Sequence, residues 1–414
     1  MAKRGAVGQE AAARRLDSLR RLMAEADLDA FVILDRANTI YFAGFPCSNS
    51  VTVVTAKSAF FLTDFRYLEK AEAEIKALEV RRMTQHGTDE LAALLKSLAV
   101  RRIGFEGSVP YNEYAKLKKA AGRAKLEEAA RLPLRLRAVK DEAEVELIAA
   151  NQRTNEAIFK AALKAARAGV SEQELLRFVR TEMVRRGVEE AFDSIIASGR
   201  NSSLPHAVPT SRRVRAGEYL LFDMGVKAGY YHSDMTRTVV VGKASPRHRE
   251  IYEIVLEAQE RALAAIRPGA ACRDVDARAR DFIAQAGYGE YFGHGLGHGV
   301  GLQIHEGPTL NPRSGQVLEE GMVVTVEPGI YIPGFGGVRI EDLVVVTRDG
   351  YRNLTSVPKR FRSIVAMPDY RKLRVGGVWK APIVQPGCRF WRGSRVKWLT
   401  SDKRQVQAVS IPRL

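Results

Sequence analysis

Residues 222–238 read FDMGVKAGYYHSDMTRT. Apolar residues flank a glycine-containing centre, the pattern of a β-hairpin. With Ala228-Gly229 as the two-residue turn, Asp223 and Asp234 stand equally far from its centre. In an antiparallel pair they then face each other on one side of the sheet, with Cβ atoms ~5 Å apart. A second stretch, EPGIYIPGFGGVRIED (327–342), is symmetric about Gly334, which sets Glu327 opposite Glu341. Facing carboxylates within apolar strands repel each other and lose solvation, a heavy cost unless something positive lies between them.

Arg237 and Arg339 are the candidates for that positive group if the pairs are purely structural. Two pairs on matched hairpins point elsewhere. GEYLLFDMG (217–225) and GMVVTVEPG (321–329) share one pattern: a glycine, a strand-like run, and an acid six residues on. This faint echo predicts a duplicated α/β unit with a pseudo-two-fold relation. Between the hairpins lies GHGLGHGVGLQIHEGP (293–308), which holds His294, His298 and His305, three of the chain's seven histidines. Four carboxylates with one imidazole suit a pair of hard or borderline divalent cations such as Mn²⁺ better than a thiolate-type zinc site. An HExxH zinc helix is excluded, because the glycine-rich run is a poor helix and lacks the glutamate after its first histidine.

Composition fits this enzyme-like reading. At 414 residues the chain is long for one domain, and 46% hydrophobic with 27% charged residues is ordinary for a globular protein. The opening MAKRGAVGQEAAARRL has no apolar core, which predicts no signal peptide. No run approaches the ~18 apolar residues of a membrane span. Three scattered cysteines argue against a disulfide framework and for a cytoplasmic location. Net charge is +17, but residues 371–414 carry eleven Lys/Arg against one acid, leaving 54 against 47 elsewhere. Basicity therefore belongs mainly to the tail, which weakens a nucleic-acid reading of the body.

Along the chain, AAARRLDSLRRLMAEADL places Leu16, Leu19, Leu22 and Met23 at helical spacing, while DAFVILD, SVTVVTA and SAFFLTD read as buried strands. TDELAALLKSLAV reads as a helix capped by Thr88. These form a small α/β domain. Pro133 interrupts the chain. A long helix from Asp141 to about Ala166 follows, stopped by Gly169, and Ser171 with Glu174 forms a capping box for the next. Two further helices, about 247–266 and 273–286, alternate with antiparallel hairpins, an α+β order.

Over residues 12–366 the chain resembles the metallopeptidases of the pita-bread fold, specifically aminopeptidase P and prolidase. The resemblance rests on PHAVP (205–209), DMGVKAGYYHSDMTRT (223–238), GHGVGLQIHE (297–306), EPGIYIP (327–333) and VRIED (338–342). It implies an α+β pita-bread (creatinase/aminopeptidase) catalytic domain over 136–367. A smaller creatinase-like amino-terminal α/β domain over 9–132 would precede it. It further implies that Asp223, Asp234, His298, Glu327 and Glu341 hold two divalent cations, with Asp234 and Glu341 bridging. Mn²⁺ is the expected metal, with Co²⁺ or Zn²⁺ as alternatives. His206, His294, His305, Tyr331 and Arg339 are implied to bind substrate, Arg339 by steadying a ligand carboxylate. His206, His305 and Glu327 are the implied catalytic groups: Glu327 as general base for a metal-activated water, and His305 facing the tetrahedral intermediate.

The implied reaction is cleavage between an N-terminal residue and a following proline in proline-containing peptides. The short chain and its amino-terminal domain lead us to expect an Xaa-Pro aminopeptidase, with the Xaa-Pro dipeptidase (prolidase) as alternative. A creatinase-like amidinohydrolase lacks the ligands present here, and a non-catalytic binding protein is the remaining different class. A homodimer is expected from the resemblance, with neither membrane nor nucleic acid as partner. His86, His232 and His248 fall outside the motifs and are read as surface or packing residues. Residues 368–414 depart from the family and are expected to be a disordered or accidental extension, rather than a surface for nucleic acid or membrane.

Overall fold

The computed structural model describes residues 8–84 and 87–364, and beyond them only the backbone of the antiparallel pair Arg374–Val375 and Val378–Trp379. His86 and nearly all of the basic extension lie outside the described residues. No helix among the described residues is long and apolar enough to cross a membrane.

The amino-terminal part is a six-stranded mixed sheet. Its order is Glu79–Arg82, Ala59–Thr63, Ser50–Thr55, Ala30–Ile33, Arg102–Phe105 and Lys125–Glu128. The central strand shows why both faces are covered. Ala30 and Val32 point into one cluster with Leu91, Leu94 and Leu117, whereas Phe31 and Ile33 point into another with Leu16, Leu19 and Met23. That second cluster continues into Val145, Ile148, Tyr231 and Leu343 of the carboxy-terminal part, so one apolar core joins the two. Arg15, on helix Gln9–Glu25, reinforces the junction with contacts of 3.0 Å to both Asp141 and Glu144.

Two sequence expectations are corrected here. Thr88 is the first residue of helix Thr88–Ser97, and the cap position belongs to Gly87, whose φ of 62° an L side chain rarely adopts. Pro133 does not break the chain but sits in the first turn of helix Arg131–Ala138, where a backbone N–H has no intrahelical partner to lose. The expected capping box forms at Ser171 with Glu174, and the long helix begins as expected after Asp141, where a second box with Glu144 caps it.

The carboxy-terminal part is built on two larger sheets, each covered by two helices. Helices Glu142–Ala165 and Glu172–Arg185 pack Phe159 and Val179 onto Leu220, Phe222 and Val239. Helices Pro246–Leu263 and Cys272–Gln285 pack Val255 and Val275 onto Val324, Val344 and Val346. Gly169 and Gly269 take the same left-handed turn, with φ of 90° and 83°, ahead of the second helix of each pair. This arrangement agrees with the echo in the sequence. The four-stranded sheet includes Glu218–Met224 and Met235–Val241; the five-stranded one includes Gly297–Gly299, Val323–Val326 and Asp342–Thr347.

One buried acid of the amino-terminal sheet makes stability depend on pH. Glu106 is 1% exposed and accepts from Leu34 N (2.9 Å) and Asn38 Nδ2 (3.1 Å). Burial outweighs these bonds and pushes its carboxyl up from 4.5 to about 7. Folding thus raises its proton affinity, so its stabilising effect is complete below about pH 4.5 and is lost as pH rises through 7. Glu106→Gln stays neutral and should gain on the wild type between pH 5 and pH 8 by on the order of 3 kcal/mol. Urea midpoints at the two pH values measure this; an unchanged difference would refute it.

Candidate metal centre

The hairpin over 222–238 turns at Gly229-Tyr230, not Ala228-Gly229: Ala228 pairs with Tyr231 and Lys227 with His232. Both turn residues have positive φ, 58° and 72°, as a two-residue hairpin turn of this hand requires. The one-residue shift moves Asp223 opposite Thr236, leaving Asp234 diagonal to it on the same face. Gly225 permits the close strand contact there, since a Cβ would stand 2.1 Å from Ser233 O. The second hairpin has the expected register, with Gly329 paired to Arg339 and Ile332 to Gly336.

Nine of the ten residues singled out from the sequence line one cavity of about 400 Å³ between the sheets. They are the five candidate ligands together with His206, His294, His305 and Arg339. Tyr331 lies behind the lining, its hydroxyl bonded to His294 Nε2 (2.9 Å) and Arg339 Nη1 (2.7 Å). Phe192, Ile195 and Ile304 add apolar wall; the sequence offered no periodicity or motif that marked them. His232 and His248 are buried away from this lining, as packing residues.

The donors behave as a cation site would demand. Ligand atoms of Asp234, His298 and Glu341 lie within 4.8 Å of one another. His298 Nδ1 is 3.1 Å from Gly299 O, a pure acceptor, so Nδ1 carries the proton. In the neutral ring Nε2 then presents a lone pair to Glu327 Oε1 at 3.3 Å and Asp234 Oδ2 at 3.7 Å. Lone pairs facing carboxylates repel unless a cation intervenes. Asp234 Oδ1 and Glu341 Oε1 are buried without any hydrogen-bond partner among the described residues. These belong to the two carboxylates expected to bridge. The residues present therefore fit a pair of divalent ions.

Electrostatics supports the fit. Burial, compounded by neighbouring carboxylates, raises Asp234 and Glu341 well above the usual carboxylate range. Asp223 is raised too, chiefly by burial and despite Arg339, whose Nη2 lies 2.5 Å from its Oδ2. Burial also acts to raise Glu327, but a protonated His298, its proton standing where a metal cation would, overcomes burial with help from His294 and Arg339 and holds the group at about 2. Four acids so placed cannot all ionise without added positive charge.

The carboxylates are oriented from behind by groups the sequence reading did not single out. Thr236 Oγ1 donates to Glu341 Oε2 (2.8 Å) and accepts from Arg339 Nε (3.0 Å). Thr325 Oγ1 donates to Glu327 Oε1 (3.1 Å) and accepts from His298 N (3.0 Å). The correct register across Asp223 would have pointed to Thr236. Arg237 takes Asp342 as its partner at 2.7 Å, so it neutralises none of the candidate ligands.

Residues 146–348 match metallopeptidase family M24, and residues 15–139 match the creatinase/prolidase amino-terminal domain. An Xaa-Pro dipeptidase from Pyrococcus horikoshii is 38% identical over 341 residues, covering 81% of this chain and 95% of that protein. Among solved structures, an Xaa-Pro dipeptidase from Bacillus anthracis is 39% identical with a TM-score of 0.83, over 85% of this chain and 100% of that one. An X-Pro aminopeptidase from Thermotoga maritima is 36% identical with a TM-score of 0.77, over 85% and 99%.

Proposed function

The chain belongs to metallopeptidase family M24, and from that premise we propose that it is a dinuclear-metal Xaa-Pro dipeptidase. The observation that carries the metal assignment is the pair of unpartnered oxygens on Asp234 and Glu341 beside His298 Nε2. The choice of dipeptidase, in place of the aminopeptidase expected from sequence, is supported by the names of the Pyrococcus and Bacillus proteins. The Thermotoga enzyme keeps the aminopeptidase as a second reading. A carboxylate-rich donor set favours Mn²⁺, and free Cys47 and Cys272 accord with a cytoplasmic setting.

When bound, the cations supply an activated water and polarise the scissile carbonyl. The protein's own groups do the rest. Glu327 takes the proton released in the attack and passes it to the leaving imide nitrogen. His305, whose ring centroid is 4.3 Å from that of His298, and His206 donate to the oxygen that gains charge. His294 takes the proline side, held as one tautomer by Gly295 O at 2.7 Å and by the Tyr331 hydroxyl. Arg339 keeps Asp223 aimed and opposes the effect of its burial.

Mn²⁺-loaded protein should release free proline from an Xaa-Pro dipeptide and leave Arg-Pro-Pro intact. Amino-acid analysis distinguishes the readings. Loss of the first residue from Arg-Pro-Pro would establish the aminopeptidase instead; no turnover of either peptide would end both.

A further inference from the structure

The segment between the amino-terminal sheet and the catalytic strands carries two buried cations, Arg137 and Lys140, with side chains 3% and 1% exposed. Both converge on Glu306, the residue after His305. Arg137 Nη2 lies 2.5 Å from Oε2 and Lys140 Nζ 2.9 Å from Oε1. Arg137 Nη2 also donates to Gln303 Oε1 at 2.8 Å, and Gln303 N donates to Glu306 Oε2 at 3.3 Å. At the start of the same loop, His232 N and Nδ1 each lie 3.0 Å from Gly301 O. A Cβ on Gly301 would stand 2.3 Å from Glu306 Oε1, so the carboxylate is packed directly on the loop backbone. The turn that presents Ile304 and His305 to the cavity is thus shaped by contacts outside the cavity.

The other arm of Arg137 reaches the amino-terminal domain. Nη1 donates to Asn38 Oδ1 at 2.9 Å, and Asn38 Nδ2 donates to Glu106 Oε1 at 3.1 Å. One guanidinium therefore spans from the buried polar centre of that domain to the histidine loop. Burying two cations and a carboxylate is poorly rewarded in stability, since apolar side chains of similar volume would serve as well or better. What an arginine adds is a rigid fork that fixes several acceptors at once.

We propose that Arg137 is a positioning residue for His305: through Glu306 and Gln303 it fixes the 301–306 loop, and through Asn38 it makes that loop's position depend on the amino-terminal domain. The proposal rests on the reading of His305 as a group that meets the reacting carbonyl. Lysine can keep the charge at 137 but cannot bond Asn38, Gln303 and Glu306 together.

The test is a double-mutant cycle of Arg137→Lys and His305→Ala in the Mn²⁺-loaded enzyme, with amide exchange of residues 301–306 followed by mass spectrometry. Arg137→Lys should lower kcat roughly 10- to 100-fold, the range for a group that orients another, with KM for the dipeptide within about twofold. In the His305→Ala background it should lower kcat no further. Exchange should accelerate in 301–306 and stay unchanged around Asp223 and Glu341. Multiplying effects on kcat, or unchanged exchange in 301–306, would overturn the proposal. Gln303→Ala, which leaves the ion pairs intact, runs the same cycle should Arg137→Lys fail to fold. A wild-type protein inactive on Xaa-Pro peptides would remove the functional reading alone, because exchange would still decide whether Arg137 holds the loop.

Discussion

Glu327→Gln should lower kcat on an Xaa-Pro dipeptide by about 10²–10⁴-fold, the usual contribution of a positioned general base. Glutamine keeps the shape and one acceptor for Thr325 but cannot take up the proton. The effect should appear in kcat, with KM changing only a few-fold, because the substitution removes a group needed chiefly during reaction. Glu327 is also a candidate ligand, so kinetics belong at saturating Mn²⁺ with the bound metal measured alongside. A variant with two ions and more than a tenth of wild-type kcat would remove Glu327 from the role of base.

Arg237→Met should cost about 3–5 kcal/mol of stability, the penalty for stranding a buried charge. The guanidinium is 3% exposed, pairs with Asp342 at 2.7 Å and donates to Val357 O at 2.8 Å. It also donates to Thr236 O (3.0 Å) and to Glu341 O, so it ties the strand that carries Thr236 to the backbone at Glu341, just before strand Asp342–Thr347. Asp342, 1% exposed, would keep only Lys359 at 3.2 Å and Asn353 at 2.9 Å. Adding Asp342→Leu should recover part of the loss, since replacing both partners avoids the stranded charge. Denaturant midpoints measure both variants. A loss below about 1 kcal/mol for Arg237→Met would mean that Lys359 alone compensates Asp342.

Where local chemistry settles a structure, the sequence was legible. Ser171 with Glu174 marked a helix start, because capping needs only residues three apart. The glycines after Ile332 fixed the centre of the second hairpin and with it the register of Glu327 and Glu341. The first hairpin misled by one residue because Tyr230 adopts a positive φ that the sequence would assign to glycine. That error set Asp223 directly opposite Asp234 and hid Thr236. The ten candidate site residues were accessible through motif resemblance; the groups behind them were not, since Thr236 and Arg137 act through contacts far apart in sequence.

In the proposed centre Asp234 and Glu341 share two cations with Asp223, His298 and Glu327. Metal content by mass spectrometry, after equilibration with Mn²⁺ and desalting, reads out this sharing. Two ions per wild-type chain are expected, and at most one in Glu341→Gln, whose amide cannot bridge. A wild-type chain that retains no metal, or a Glu341→Gln chain that retains two ions, would contradict it.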